Sequence, residues 1–166
     1  MEIDYLGGME KYSQRLQIRW ADIDANRHLR HSVYYDFGAT LRMSVLSELG
    51  LSVRKLEEIM VGPILFREEG IFRREIVFED TITLDVELFK ATPDYSRWSL
   101  RHNFIKDDGT LAATVTVDGA WIDMVKRKLT VPNIFIHDVF EKFPKAADFQ
   151  FFMPEKKIST ANDQNG

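Results

Sequence analysis

Several side chains capable of acid–base, hydrogen-bonding or metal chemistry are concentrated in one short segment: Asp22, Asp24, Asn26, His28 and His31. Residues 21–31 show neither helical nor strand periodicity, so we predict a loop. A carboxylate can act as a general base or as a nucleophile. An imidazole can transfer a proton or bind a metal ion. The loop is therefore the first candidate for a chemical site.

A helix is predicted directly after this loop. Apolar residues recur at three or four positions, namely Val33, Tyr34, Phe37, Leu41, Val45 and Leu49. The stripe predicts a helix over residues 33–49, with Ser32 as N-cap and Gly50 as the left-handed C-terminal residue. Because the first turn carries unpaired amides and roughly half a positive charge, a carbonyl placed there would be polarised. Gly38 inside the helix predicts a close approach by a strand or a ligand.

Two other interpretations of the loop remain open. Asp and Asn cluster in loops because their side chains bond to neighbouring backbone groups, and histidines near a helix start are often surface residues. The same side chains could also be metal ligands. The chain has no cysteine and no histidine pair at helical i, i+4 spacing that would support a metal site, so we expect no metal.

Other candidate residues also allow two interpretations each. The run from Lys126 to Lys128, which includes Arg127, is either a solvated turn or a contact for a phosphate group. Arg73, Arg74 and Arg97 carry the same alternatives. His102 alternates with apolar residues, so we expect a core histidine rather than a site residue. Tyr34 and Phe37 are either core residues or the lining of an apolar pocket.

The remaining elements are predicted to be mostly β-strands. Alternation of apolar and polar residues predicts strands over residues 16–20, 82–88, 98–104 and 111–121, with a short helix near 53–59. Residues 107–109, Asp-Asp-Gly, predict a hairpin turn. Residues 64–77 mix apolar and charged side chains, and Gly70 predicts a bend there. Residues 132–143 predict a strand end and a short helix.

A lone amphipathic helix must bury its apolar stripe, and a sheet with one apolar face supplies the partner. We therefore predict an α+β fold, in which a long central helix is wrapped by a curved antiparallel β-sheet of five or six strands. Residues 1–14 are predicted to form an N-terminal arm, residues 15–153 one domain, and residues 154–166 a disordered tail.

Composition narrows the class of protein. The 166 residues are 45% hydrophobic and 29% charged, the balance of a soluble globular domain. The absence of cysteine excludes disulfides and a thiolate nucleophile and fits a reducing cytoplasm. A net charge of −4 disfavours nucleic-acid binding. We expect no signal peptide and no membrane span, since no sufficiently long apolar run is present.

The segment from Arg19 to Arg42, RWADIDANRHLRHSVYYDFGATLR, resembles the signature of the hydroxybenzoyl-CoA thioesterase family. The positions that match its aromatic residue, its Asp-x-Asp pair and its aromatic-rich helix with an Arg are Trp20, Asp22, Asp24, Tyr34, Phe37 and Arg42. Weaker similarity continues at residues 77–81 and 121–132. The resemblance covers about residues 16–132 and implies the hotdog fold.

The resemblance also implies an activity, the hydrolysis of an acyl-CoA thioester without a cofactor. It makes Asp24 the catalytic carboxylate, acting as base or nucleophile, and it gives His31 the helix-start amide and a ring that is functional in some members. The implied substrate-binding residues are Asn26, His28, Tyr34, Phe37, Arg73, Arg74 and Arg127, the three arginines as candidates for the CoA phosphates. Active sites between subunits imply a homodimer or homotetramer.

Two departures from the family pattern affect the site. Many members have glycine where this chain has Arg27, and many carry a helix glutamate where it has Ala39. Alternatives to acyl-CoA hydrolysis are an acyl carrier protein thioesterase and a non-catalytic module that binds an acyl or aromatic ligand. A dehydratase of the same fold is less consistent with the sequence, because Gly38 and Ala39 do not supply its helix acid.

Overall fold

A computed structural model describes residues 2–4 and 11–154 of the chain. The strands are β1 (Glu2–Asp4), β2 (Lys11–Gln17), β3 (Val61–Phe72), β4 (Thr81–Ala91), β5 (Arg97–Lys106), β6 (Leu111–Asp123), β7 (Lys128–Leu129) and β8 (Lys145–Phe151). The α-helices are α1 (His31–Glu48), α2 (Val53–Glu58) and α3 (Ile134–Lys142), and a 3-10 helix spans Trp20–Asp22.

The strands form one sheet that curls around α1. Its main path runs β1-β2-β4-β5-β6-β3, and all neighbours on this path are antiparallel. The predicted architecture is confirmed, with eight strands rather than five or six because the short β1 and β7 and the late β8 join the sheet. Among the described residues, no helix is long and apolar enough to span a bilayer.

The apolar stripe of α1 is buried against the sheet, as its spacing predicts. Its buried residues include Val33, Tyr34, Leu41, Val45 and Leu46. The core opposite them comes from β4, β5 and β6, whose inward-facing residues include Leu84, Leu100, Phe104 and Val117. Burial of these side chains holds the N-terminal turn of α1 at a fixed place on the sheet.

The helix begins two residues earlier than predicted. Its N-cap is Arg30, whose side chain makes no capping hydrogen bond, and Ser32 lies inside the first turn, so the predicted Ser32 cap is wrong. The cause is the preceding backbone, since the amide of Arg30 donates to the carbonyl of Asp22 at 2.9 Å. At the other end the helix stops at Glu48, one residue before the predicted end. The predicted left-handed role of Gly50 is confirmed, because Gly50 has φ +97° and Leu51 donates to the carbonyl of Leu46 at 2.7 Å.

Gly38 lies at a close approach between α1 and the sheet. A Cβ at this position would lie 3.4 Å from the ring of His102 on β5. His102 is fully buried, and its Nδ1 is 3.1 Å from the carbonyl oxygen of Val115, so this nitrogen donates. Both predictions are confirmed, the close approach at Gly38 and the core role of His102.

Three predicted boundaries were wrong. The first full strand is β2, so residues 11–14 belong to the sheet rather than to an arm, consistent with the burial of Tyr12 against it. The strand predicted over residues 16–20 ends at Gln17, and Trp20 begins the 3-10 helix. β3 continues through Gly70 without a bend, and its irregularity lies between Leu65 and Arg67.

The C-terminal region contains one element that the sequence did not predict. β8 pairs in parallel with β4 after α3, where the carbonyl of Pro144 accepts the amide of Leu88 at 2.7 Å. Of the predicted disordered tail, residues 155–166 lie outside the described residues.

Candidate active site

Asp24 organises the loop before α1. Its Oδ1 accepts hydrogen bonds from the amides of Asn26 at 2.8 Å and His28 at 3.2 Å. Its own amide donates to the carbonyl of His28 at 2.9 Å, and its carbonyl accepts the amide of Arg27 at 3.0 Å. Within the described residues, Oδ2 accepts no hydrogen bond, so one carboxylate oxygen shapes the loop while the other is available for chemistry.

Asp22, the other carboxylate of the motif, is occupied by a structural role. It is only 1% exposed, and its two oxygens receive the guanidinium of Arg19 at 2.8 and 2.9 Å and the Arg19 amide at 3.0 Å. The hydrogen bond from the Arg19 side chain holds the pKa of Asp22 below its ordinary value. The two aspartates of the motif therefore differ in function, with Asp22 closing the 3-10 turn and Asp24 facing the cleft.

The loop is tied to the segment after β3 at two points. His28 Nε2 lies 2.8 Å from a carboxylate oxygen of Glu75, and the amide of Leu29 donates to the carbonyl of Ile76 at 2.8 Å. These two contacts hold the loop and the segment after β3 together near the N-terminus of α1, where both segments line a cleft.

The cleft has a volume of about 380 Å³. Its lining consists of Asp24, His28, Leu29, His31, Tyr34, Phe72, Arg73, Arg74 and Glu75. His31 is the first residue of α1, so its amide is one of the N–H groups that have no acceptor within the helix. The cleft thus brings the Asp24 carboxylate and the positive end of a helix to one site.

Tyr34 is a buried aromatic residue of the cleft lining, one helical turn after His31. Its side chain is 4% exposed, and its ring packs edge-to-face on Phe72 and Phe104 at centroid distances of 4.9 and 5.0 Å. Burial, and then the negative charges of Asp24 and Asp80, raise the pKa of Tyr34 to about 12. Its hydroxyl therefore keeps its proton at neutral pH.

Arg73 and Arg74 are the arginines of the cleft lining. Arg73 donates to the hydroxyl of Thr114 at 3.1 Å, and Arg74 donates to the carbonyl of Arg73 at 2.7 Å. Neither guanidinium forms an ion pair with a carboxylate of the described residues. In a chain with net negative charge, these two cations are available for an anionic ligand.

Three of the sequence-predicted site residues do not line the cleft. Asn26 contributes its backbone amide to the loop, while Phe37 packs partly buried against the core. Arg127 lies in the hairpin between β6 and β7, beside the start of β3 rather than its end. Because β3 is 12 residues long, the hairpin is roughly 36 Å along the strand from Phe72.

Sequence reasoning missed three residues of the lining, Leu29, Phe72 and Glu75. Glu75 follows the Arg73-Arg74 pair, but its charge alone gave no indication that it meets His28. No signal singled out Phe72. Among residues 2–4 and 11–154, no three histidine, aspartate or glutamate side chains are grouped so that they could hold a metal ion.

Arg27 departs from the family pattern in residue type but keeps the backbone conformation that glycine favours. Its φ is +65°, in the left-handed region. The loop geometry around Asp24 is thus retained with an arginine at its tip, and the exposed side chain points away from the buried core.

Comparison with known families identifies a match over most of the chain. The model of a family described as the thioesterase-like superfamily matches residues 18–152. No curated protein sequence matches the chain.

Solved structures share the same fold at low sequence identity. A hypothetical protein from Staphylococcus aureus in complex with CoA is 20% identical, with a TM-score of 0.73 over 84% of this chain and 89% of that one. A DHNA-CoA thioesterase from Staphylococcus aureus is 17% identical, with a TM-score of 0.69 over 80% and 87%. A gentisyl-coenzyme A thioesterase is 18% identical, with a TM-score of 0.67 over 77% and 98%. These likenesses show the hotdog fold.

Proposed function

The chain belongs to the thioesterase-like superfamily, and on this premise we propose that it hydrolyses an acyl-CoA thioester to a free acid and CoA. The resemblance to hydroxybenzoyl-CoA-like hotdog thioesterases expected from the sequence is confirmed. One observation carries the proposal, the meeting of the Asp24 carboxylate with the first residue of α1 in a single cleft.

The first chemical step uses both the N-terminus of α1 and the Asp24 carboxylate. The thioester carbonyl oxygen lies at the N-terminus of α1, where the His31 amide and the helix dipole stabilise the negative charge that develops on it. Asp24, through Oδ2, removes a proton from a water molecule as that water attacks the carbonyl carbon. Direct attack by Asp24 to form a mixed anhydride, which water then cleaves, uses the same placement.

Collapse of the tetrahedral intermediate completes the reaction. In the water route the C–S bond breaks, the sulfur leaves as the thiolate of CoA, and the proton that Asp24 took from water passes to this sulfur. In the direct route the thiolate leaves as the anhydride forms, and the water that cleaves the anhydride supplies the proton. Because Tyr34 keeps its proton at neutral pH, it serves as a neutral hydrogen-bond donor beside Asp24 rather than as a second base.

We assign recognition of the CoA moiety to the two arginines of the cleft lining. Arg73 and Arg74 are cations without carboxylate partners in the described part of the chain, and guanidinium groups bind phosphate through paired N–H donors. His28 also lines the cleft, where its ring contacts Glu75. The acyl group then extends towards Tyr34 and Phe72.

The outer edge of β3 supports assembly into a homodimer. β3 ends the path of the sheet in the described residues, and it exposes Leu65, Phe66, Ile71 and Phe72. A long, apolar, uncovered edge is normally covered in native proteins. A second copy can cover it by antiparallel pairing about a two-fold axis.

Such pairing would also bring Arg127 of one copy towards the cleft of the other. Antiparallel two-fold pairing sets the start of β3 in one copy beside the end of β3 in the other. The β6–β7 hairpin, next to the start of β3, is thereby carried towards the cleft of the second copy. Arg127 in trans is then a further contact for CoA phosphates.

A thiol-release assay tests the activity directly. Wild-type protein is offered short, long and aromatic acyl-CoA esters, and the same acyl groups on an acyl carrier protein. Release of CoA thiol with at least one ester supports the proposal. Release from carrier-protein esters alone would move the activity to that substrate, and tight binding of esters without release would identify a ligand-binding module.

A further inference from the structure

The lining of the cleft contains both basic and apolar residues, and the apolar residues identify its acyl side. Arg73, Arg74 and His28 are its basic and polar members, whereas Tyr34, Phe72 and Leu29 are its aromatic and apolar members. Asp24 and His31 line the same cleft. A thioester with its carbonyl at His31 and its nucleotide at the arginines must therefore place its acyl group against Tyr34 and Phe72.

Tyr34 is a lining residue whose position is fixed by the core. It is buried in the first turns of α1, and Phe104 of β5 packs against its ring. Leu29 is equally buried, and its amide is bonded to Ile76. Neither side chain can retreat without opening the core, because protein interiors are close-packed.

Phe72 differs from the other two apolar residues. Its side chain is 48% exposed and makes an edge-to-face contact with Tyr34 on one side only. It sits over Gly70, where an added Cβ would lie 2.8 Å from Phe72 Cζ, so the ring occupies space that the glycine leaves empty. It is also the last residue of β3, immediately before the basic pair.

From this placement we propose that Phe72 determines acyl specificity by ending the acyl side of the cleft, so that the enzyme accepts compact acyl groups and rejects longer chains. This inference rests on the proposed thioesterase function. Phe72 is the one apolar residue of the cleft lining that the core of its own protomer does not bury, so its removal enlarges the cleft and leaves that core intact.

The test compares Phe72→Ala with a matched control, Phe78→Ala. Phe78 is 43% exposed and also packs edge-to-face on one aromatic ring, that of Trp20 at 5.9 Å, but it does not line the cleft. The ratio of kcat/KM for a long acyl-CoA to that for a short one is measured for the oligomeric wild type and both variants. Phe72→Leu is included as a milder truncation should Phe72→Ala fail to fold.

We expect Phe72→Ala to raise the long-to-short ratio at least tenfold, since a single methylene group in an apolar pocket already discriminates by about tenfold or more. Phe72→Leu should raise it less, and Phe78→Ala should leave it unchanged. An unchanged ratio in both Phe72 variants overturns the inference, as does an equal rise in Phe78→Ala. If either overturning result is found while wild type hydrolyses the panel and Asp24→Asn does not, only the role of Phe72 is rejected. If wild type hydrolyses no ester, both the proposed function and the role of Phe72 are rejected.

Discussion

Asp24 and His28 are joined by two hydrogen bonds that run in opposite directions. The amide of Asp24 donates to the carbonyl of His28 at 2.9 Å, and the amide of His28 donates to Oδ1 of Asp24 at 3.2 Å. This pairing fixes the carboxylate in the cleft and commits one of its oxygens to the loop. It also means that replacing Asp24 by alanine removes both a chemical group and a structural one, whereas asparagine can retain an oxygen at Oδ1.

The backbone of Arg27 leads to a stability prediction. A non-glycine residue in the left-handed region costs about 1 to 2 kcal/mol, partly offset because glycine is more flexible when unfolded. Arg27→Gly should therefore raise the free energy of unfolding by about 0.5 to 1 kcal/mol. Urea denaturation measures this difference. Arg54→Gly, within helix α2, is the control and should lower stability; a loss of stability in Arg27→Gly would contradict the assignment of strain.

Arg74 in the cleft lining leads to a kinetic prediction. Arg74→Ala should raise KM for an acyl-CoA by about fivefold at low salt with little change in kcat, since it removes binding that is equal in the ground and transition states. The N-acetylcysteamine thioester of the same acid lacks the CoA phosphates, so its KM should not change. Arg54→Ala, an exposed arginine on α2, should behave as wild type with both substrates. A similar rise for both esters would place Arg74 near the thioester instead of the nucleotide.

His102 leads to a prediction about acid stability. Burial, and then the positive charge of Arg42, lower its pKa from 6.5 to about 4 in the folded protein. Between these two values the unfolded chain binds the extra proton, so stability is fully present above about pH 6.5 and is lost as the pH falls towards 4. The loss from this group amounts to about 3 kcal/mol at most.

The matched variant for this prediction is His102→Asn, which offers an N–H to the Val115 carbonyl but does not titrate in this range. Its stability relative to wild type should improve as the pH falls from 6.5 to 4. Thermal denaturation across this range measures the difference. Parallel pH profiles for the two proteins would show that His102 does not control the loss.

The edge of β3 leads to a prediction about assembly. Leu65→Lys places a charge on an exposed edge strand, a substitution that opposes edge-to-edge pairing. Light scattering should find a dimer or larger assembly for wild type and a shift towards monomer for the variant. Val53→Lys, an exposed apolar residue on α2, should keep the wild-type mass. A monomeric wild type would remove the dimer and the role of Arg127 in trans.

The sequence was sufficient to predict the loop, the long helix and the curled sheet. The alternation of β4 to β6 and the stripe of α1 are local patterns, and each follows from which face is buried. The start of α1 was not predictable in this way. Ser32 has the side chain of a good cap, but the hydrogen bond from Arg30 to the Asp22 carbonyl sets the helix start two residues earlier.

The cleft itself could be predicted only in part, and of its residues from the β3 side the resemblance implied Arg73 and Arg74. Asp24, His28 and His31 stand together in the sequence, so one motif indicated all three. Phe72 and Glu75 are more distant in the chain, and they reach the site because β3 runs unbroken to Phe72 and Ile76 bonds to Leu29. Conversely, Phe37 shares the helix stripe with Tyr34 but packs against the core, a difference that periodicity alone does not resolve.

The most direct test of the proposed function is the kcat of Asp24→Asn for the best acyl-CoA substrate, measured by thiol release beside Glu75→Gln and Asp36→Asn. Glu75 is the other carboxylate of the cleft, and Asp36 is an exposed aspartate on α1 outside it. We predict that Asp24→Asn lowers kcat by about 10²- to 10⁴-fold while the fold is retained, and that Asp36→Asn has no effect. Wild-type turnover by Asp24→Asn would contradict it, and loss of activity in Glu75→Gln instead would transfer the catalytic role to Glu75.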